Sequence, residues 1–353
     1  MPAVARRPTR SPGSRSERQV QSRKEPIEGE PLSTVRRVVS IIAGLSLLVL
    51  AGGALAARYA PLPGHLSIYA IIASPFLMLA APVALVVLGW GRHWVASALA
   101  GILTVALVVV QLPAYFSETP RPGSLPVRVM TINMLFGQAD PRSVADLAKD
   151  QADILLVQEL TPEAVRGLST AGLDGDFPNR ALDARPQAAG VGVYSRYPIT
   201  DSTRVGGFQL ALVSARVQVE GVAREVTVAS IHFAAPWPQP IDGWHRDFAA
   251  FPRTLADLAA QSGDGSALIG GDFNATVDMR PFRELLTGGY RDASEQAGAG
   301  RQFTYPSNNR RIPPFMGIDH ILTRNATAAS TSTVDIPDSD HRAVLATVMV
   351  PRG

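Results

Sequence analysis

In the C-terminal two thirds of the chain, acids, amides and histidines fall at or beside the ends of apolar runs. Asn133 lies in VRVMTINML, Glu159 in ILLVQEL and His232 in ASIHFAAP; Asp272 and Asn274 lie in IGGDFNAT, Asp319 in GIDHIL, and Asp340 with His341 in DSDHRAV. Side chains at i and i+2 of an extended segment point the same way, so Asp272 and Asn274 would reach into one space. Taken alone, IGGDFNAT also reads as an Asx-rich turn closing a strand. Likewise Glu159 reads as a solvated strand end, Asn133 as a bulge residue and His232 as a hydrogen-bonded core histidine. Taken together, the residue types make one chemistry. Glu159 and Asp340 are hard oxygen ligands with Asn133 close by, a set that suits Mg2+. Asp272 can orient or deprotonate a water, and Asn274 can donate its amide to an oxygen gaining charge. His341 and His232 can hydrogen-bond phosphoryl oxygens, while Asp319 can fix the tautomer of His341 and stabilise its charged form. Nucleophile activation, charge neutralisation and transition-state donors are what in-line phosphoryl transfer requires.

The series TINML, VQEL, GVGVYSRYPI, IHF, GGDFNAT, GIDHIL and SDHRAV, in that order, resembles the endonuclease/exonuclease/phosphatase superfamily. Its members include deoxyribonuclease I, abasic-site exonucleases, neutral sphingomyelinases and inositol-polyphosphate phosphatases. The resemblance covers residues 127–350. It implies an α/β four-layer sandwich, two mixed β-sheets flanked by helices, and a metal-dependent phosphoester hydrolase using Mg2+, with Mn2+ able to substitute. By resemblance Glu159 is the metal carboxylate, Asn133 its neighbour and Asp340 a further acidic residue of the metal site. Asp272 is then the water-activating base, Asn274 the phosphate donor and His341 the catalytic histidine paired to Asp319. The IHF segment departs from the commoner Thr-His pair, with Ile231 in the Thr position. A histidine there resembles the deoxyribonuclease, lipase-like and phosphatase branches more than the abasic-site branch.

The elements that must position these residues read as alternating strands and helices with hairpins, a mixed-sheet pattern. PRSVADLAKDQ and TPEAVRGLSTAGL read as helices, the second with Thr161 as N-cap and Pro162 at its first position. A longer helix runs from about Trp244 to Ala260, strained by Pro252, and a short one lies near Pro281 to Leu286. His320 follows Asp319 directly and so points to the opposite side of the strand, a structural place. His65 and His93 flank apolar segments, and His245 starts a helix. Trp237 and Trp244 line a groove, touch a bilayer or simply pack. Arg310 and Arg311 precede GIDHIL, either at the rim of the site as phosphate-binding guanidinium groups or in a solvated loop.

Upstream the chain changes character. Residues 1–35 are rich in Arg, Ser, Pro and Glu and read as a disordered basic tail. Residues 36–116 hold three apolar segments, Val38–Ala57, Leu66–Trp90 and Trp94–Tyr115, each about long enough to span a bilayer. Residues 117–126 form a linker, and 127–353 the catalytic domain. Residues 1–37 carry nine Lys/Arg against four Asp/Glu, which places the N-terminus in the cytoplasm and, after three crossings, the catalytic domain outside it. Arg58 then falls on the outer side and Arg92 on the inner. There is no cysteine, hence no disulfide and no thiolate metal site. From residue 121 onward 22 Arg/Lys face 25 Asp/Glu, with Lys149 the single lysine there. Such a balance is a poor case for nucleic-acid binding, which draws on phosphate contacts by cations. Anchoring near lipid headgroups favours a phospholipid-type phosphodiester instead. The expected partners are therefore the bilayer and a phosphoester substrate, nucleic acid or phospholipid. A catalytically inactive binding or sensor module on the same fold is the alternative; it predicts a lost ligand or base, and none is missing.

Overall fold

The computed structural model describes residues 30–61, 64–309 and 311–353, so residues 1–29 of the disordered tail expected over 1–35, and Arg310, lie outside the described residues, while residues 30–35 already belong to a helix. The N-terminal part is helical: α1 (Glu30–Tyr59), α2 (His65–Leu77), α3 (Ala80–Trp90) and α4 (Trp94–Gln111). By length and composition two stretches can cross a membrane, Ser33–Tyr59 and Trp94–Tyr115, and a third can if α2 and α3 are taken as one span. The apolar segment expected over Leu66–Trp90 is two helices meeting at 55°, so it can span only as a bent pair. The break at Met78–Leu79 has a local cause. Pro82 has no N–H to give the Met78 carbonyl, and its ring crowds that group.

The rest of the chain builds two six-stranded sheets. The first is formed by β1 (Leu125–Asn133), β2 (Ile154–Gln158), β3 (Asn179–Asp183), β4 (Val191–Ser195), β11 (Thr327–Asp335) and β12 (Arg342–Val350), in the order β11-β12-β1-β2-β4-β3. The second is formed by β5 (Ile199–Arg204), β6 (Leu212–Val217), β7 (Val226–His232), β8 (Ala267–Asp272), β9 (Arg291–Asp292) and β10 (Asp319–Arg324), in the order β5-β6-β7-β8-β10-β9. Each sheet is mixed, with β1–β2 and β7–β8 parallel. Between the parallel strands run α5 (Pro141–Gln151) and α8 (Asp242–Ser262); α6 (Pro162–Thr170), α7 (Leu173–Asp176), α9 (Arg280–Leu285) and α10 (Ala293–Gln296) complete the layers. The local signals act as their chemistry requires. Thr161 Oγ1 accepts the Ala164 N–H at 3.1 Å ahead of Pro162, and Asp140 caps α5 by accepting the Ser143 N–H at 3.0 Å.

Strand parity decides which side chains meet. Val127, Val129, Ile154, Leu156, Val226, Val228, Leu268 and Ile321 face one another across the two sheets. Alternate residues such as Met130, Ile132 and Leu155 pack under α5 and α6. On the other side Ala229, Ile231, Ile269 and Leu322 pack under α8 and α9 together with Ile68 and Ile71 of α2. One apolar helix of the N-terminal part is therefore built into the core of the sandwich.

Candidate active site

Counting by twos along the inner face carries each strand from the core to one end of the sandwich. Val127–Val129 leads to Asn133, Val226–Val228 to His232, Leu268 to Asp272, and Ile321 back to Asp319. Strand register then fixes the neighbours: Asp272 lies between His232 on β7 and Asp319 on β10. The loop before β12 adds Asp340 and His341, and the residue after β2 adds Glu159. Gly271 makes the β7–β8 approach possible, because a Cβ there would sit 1.9 Å from the Ile231 carbonyl oxygen.

Asn133, Glu159, His232, Asp272, Asp319 and His341 are all buried. Asn133 Nδ2 donates to Glu159 Oε1 at 3.0 Å and to Asp272 Oδ2 at 3.1 Å, while its Oδ1 accepts the Leu135 N–H at 2.9 Å. In this arrangement Asn133 ties two carboxylates together. Glu159 Oε2 accepts the Phe136 N–H at 2.5 Å. Asp272 Oδ1 accepts the Asn274 N–H at 2.8 Å, and Oδ2 lies 3.5 Å from His232 Nε2 and 3.8 Å from His341 Nε2. His232 Nδ1 lies 3.0 Å from the Ala188 carbonyl, which can accept its proton, and Nε2 faces the site. Asn274 Nδ2 donates to the Phe233 carbonyl at 2.9 Å and lies 3.5 Å from His232 Nε2. Asp319 Oδ2 meets His341 Nδ1 at 2.8 Å. Glu159 (φ 54°) and Asn274 (φ 49°) both adopt left-handed backbone, as do Leu135 and Phe136 over Glu159. Such conformations cost about 1–3 kcal/mol each and persist where the surroundings over-determine them.

The electrostatics follow from crowding acids in a dry place. Burial, then the nearby Asp319 carboxylate, pushes Asp272 up to about 6. Burial also raises Asp340. For His341, burial disfavours the charged ring, but Asp319, Asp272 and Asp340 outweigh it and push the ring up to about 10. Three carboxylates, Asp272, Asp319 and Asp340, thus surround one imidazolium, and Asp319 Oδ1 is buried without a hydrogen-bond partner. A site with that excess of hard, negative oxygens fits a divalent cation. The tightest group of ligand-type atoms is Asp272, Asp319 and His341, all within 4.8 Å of one another, and not the set read from the sequence. Within that group His341 Nδ1 is already engaged by Asp319 Oδ2 at 2.8 Å, which leaves Nε2 as the nitrogen facing Asp272.

The remaining sequence candidates separate cleanly. His320 turns away, held by Asp292 at 2.9 Å and the Ala275 carbonyl at 2.9 Å, as parity requires. Arg311 is on an exposed loop and does not line the cavity. Trp244 is fully buried and its indole N–H donates to the Asn274 carbonyl at 3.0 Å, which anchors the strained residue. Two residues escaped the sequence reading. The Tyr305 ring lies 4.9 Å from the His341 ring, tilted by 50°, and nothing local marks it. Ser339 Oγ donates to the Asn133 carbonyl at 2.8 Å and accepts the His341 N–H at 3.0 Å; its signal was the Ser of the SDH triplet. Glu159, His232, Asp272, Asn274, Asp340 and His341 form the polar end of a cavity of about 960 Å3.

A two-sheet sandwich with carboxylates and histidines converging at one end defines a phosphoesterase of the deoxyribonuclease I type. The chain belongs to the endonuclease/exonuclease/phosphatase family, whose model matches residues 130–341. Solved structures share the fold. An endonuclease/exonuclease/phosphatase from Bacteroides vulgatus is 19% identical with TM-score 0.54, covering 64% of this chain and 99% of that one. Humanized D. rerio TDP2 with 14 mutations is 16% identical with TM-score 0.53, over 63% and 98%. Truncated Caenorhabditis elegans TDP2 is 18% identical with TM-score 0.51, over 64% and 98%. No curated protein matches the chain.

Proposed function

We propose that this protein is a membrane-anchored phosphoester hydrolase, dependent on Mg2+ or Mn2+, with its active site on the extracytoplasmic side. The observation that carries the reading is the convergence of Asn133, Glu159, His232, Asp272, Asn274, Asp319 and His341 on one buried point at the end of the sandwich. Glu159 and Asp340 are the residues to hold the cation, with Asn133 orienting Glu159. When bound, the cation supplies neutralisation of charge on the phosphoryl and leaving oxygens. Asp272, raised towards neutrality, orients a water and takes its proton. His341, kept charged and aimed by Asp319, donates through Nε2 to a phosphoryl oxygen. Asn274, fixed by Asp272 and Trp244, presents its amide on the same side.

Placement is supported by the two ends of the helical part. Arg58 near the end of α1 pairs with Asp278 of the catalytic domain. At the other end, the Arg37 carbonyl faces His93 Nε2 at 3.0 Å and Arg36 lies over Trp90 at 5.8 Å. Arg36 and Arg37 of α1 and the contact of Arg58 with the catalytic domain thus lie at opposite ends of the helical part, which supports the reading of three crossings.

The full chain, purified in detergent, should hydrolyse a chromogenic bis-nitrophenyl phosphodiester with Mg2+ or Mn2+. It should lose that activity in EDTA, and Asp272→Asn should cut it by about 10²–10⁴-fold. An EDTA-insensitive wild type, or an Asp272→Asn variant as active as wild type, rejects the mechanism. For placement, a reporter active only outside the cytoplasm, fused after Gly353, should be active; signal from a cytoplasm-only reporter rejects it.

A further inference from the structure

The cavity that ends at Asp272 and His341 is not walled by the sandwich alone. Its side opposite the acids is α2, which presents Ile68, Tyr69, Ile72, Ala73 and Phe76 as one helical stripe at i, i+1, i+4, i+5 and i+8. Ile68 is seated in the core below α8 and α9, so the wall is held in place and not laid loosely over the opening. Tyr69 meets Trp237 edge-on at 6.5 Å across the mouth, and His65 Nε2 lies 3.3 Å from the Gln239 carbonyl. The residues that touch α2 at the rim thus belong to the loop after His232. Among the described residues no Lys or Arg lines the cavity. A nucleic-acid strand would bring a row of phosphates and ask for a row of cations. What the cavity offers is one phosphate-sized polar end and a long apolar flank on a helix of the membrane-spanning part.

We infer that the substrate is a membrane amphiphile with a phosphoester head, its phosphorus at Asp272, Asn274 and His341 and its hydrocarbon along the α2 stripe. The inference rests on the phosphoesterase reading above and names the substrate class of that same site. The break between α2 and α3 serves this arrangement. The 55° bend lets α3 continue as the deep half of the span while α2 leans over the catalytic end. A lipid can then pass from the bilayer surface to the acids without its chain leaving apolar surroundings. The hydrolysis adds water across one P–O ester bond. The water oxygen bonds to phosphorus as the P–O ester bond breaks, its proton passes to Asp272 and on to solvent, and the released ester oxygen takes a proton from solvent and leaves as an alcohol.

The test uses the full chain with Mg2+. Short-chain phosphatidylcholines and phosphatidylglycerols of increasing acyl length are assayed below their micelle concentrations, beside the soluble bis-nitrophenyl diester and a single-stranded oligonucleotide. kcat/KM should rise with acyl length by up to about fourfold per methylene that reaches the wall. Ala73→Trp, which fills the groove, should lower kcat/KM for the longest lipid at least tenfold more than for the soluble diester. Tyr69→Ala, at a half-exposed position and easier to fold, should show the same split more weakly. A flat chain-length series, or cleavage of the diester and oligonucleotide with no lipid turned over, overturns the inference and leaves the phosphoesterase reading standing. If not even the soluble diester is turned over, the phosphoesterase reading falls and the inference with it.

Discussion

Replacing Asp278 should uncouple the helical part from the catalytic domain. Asp278 follows the active-site strand and is 1% exposed. Its carboxylate accepts from Arg58 Nη1 of α1 and from Arg301 Nη1 and Nη2, the latter two at 2.5 and 3.0 Å. Arg301 Nη2 also donates to Gln111 Oε1 of α4 at 2.8 Å, and Arg283 Nη2 donates to the Arg58 carbonyl at 2.5 Å. One acid therefore holds two guanidinium groups that belong to different parts of the chain. In Asp278→Asn the two cations remain buried without their counter-charge, a situation that costs about 3–5 kcal/mol. At about 2–4 °C per kcal/mol for a domain of this size, the melting temperature should fall by about 6–20 °C. The assay is thermal unfolding of the detergent-solubilised full chain. A double-mutant cycle with Arg58→Met isolates the pair. With the Arg58 charge gone, Asp278→Asn should cost at least about 1 kcal/mol less than in the wild type. A single-variant loss below about 1 kcal/mol, or an additive cycle, would refute the claim that this acid clamps α1 to the sandwich.

Three further outcomes are expected. Asp272→Asn should cut turnover by about 10²–10⁴-fold without recovery at high Mg2+, whereas part of the Glu159→Gln loss should return as Mg2+ is raised; the reverse pattern would mean that base and ligand were assigned backwards. His320 is buried, which alone would lower its pKa, yet its bond to Asp292 leaves it raised above the usual histidine value. The stabilisation by that pair is therefore full below about pH 6.5 and lost as pH rises through the raised value. Asn at 292 can still cap α10, so the melting-temperature gap between wild type and Asp292→Asn should narrow on going alkaline, and a gap constant with pH would contradict the pairing. Gly271→Ala should destabilise by at least about 1–3 kcal/mol, because its Cβ meets backbone of β7 and not a movable side chain; a denaturant midpoint equal to wild type would show that the strands can part there.

The chemistry of the site was legible from local pattern because strands repeat every two residues. Once Val127, Val226 and Leu268 are read as core, Asn133, His232 and Asp272 follow on the same face, and His320 falls on the other. The caps of α5 and α6 were equally local. Strands β3, β5 and β11 were not. They lie at or next to sheet edges, and β5 and β11 carry runs such as ITDSTR and TAASTSTVD with little apolar alternation to announce a strand. Their structure comes from a neighbour's hydrogen bonds and not from their own side chains. The bend at Met78–Leu79 was written in Pro82, but a continuous apolar composition masks a break of that kind.

By itself, then, the sequence determined which residue types reach the strand ends, that the N-terminal part is apolar enough to span a bilayer, and that no thiolate chemistry is available. Tertiary structure decided what those residues do to one another. Register set Asp272 between His232 and Asp319, burial raised its carboxyl, and the loop before β12 brought His341 to Asp319. It also placed α2, some two hundred residues upstream of Asp272, as the apolar wall of the same cavity. Periodicity encodes the face a side chain takes, whereas contact between distant faces depends on how sheets and helices stack. That stacking is a property of the whole core, which no short stretch of residues contains.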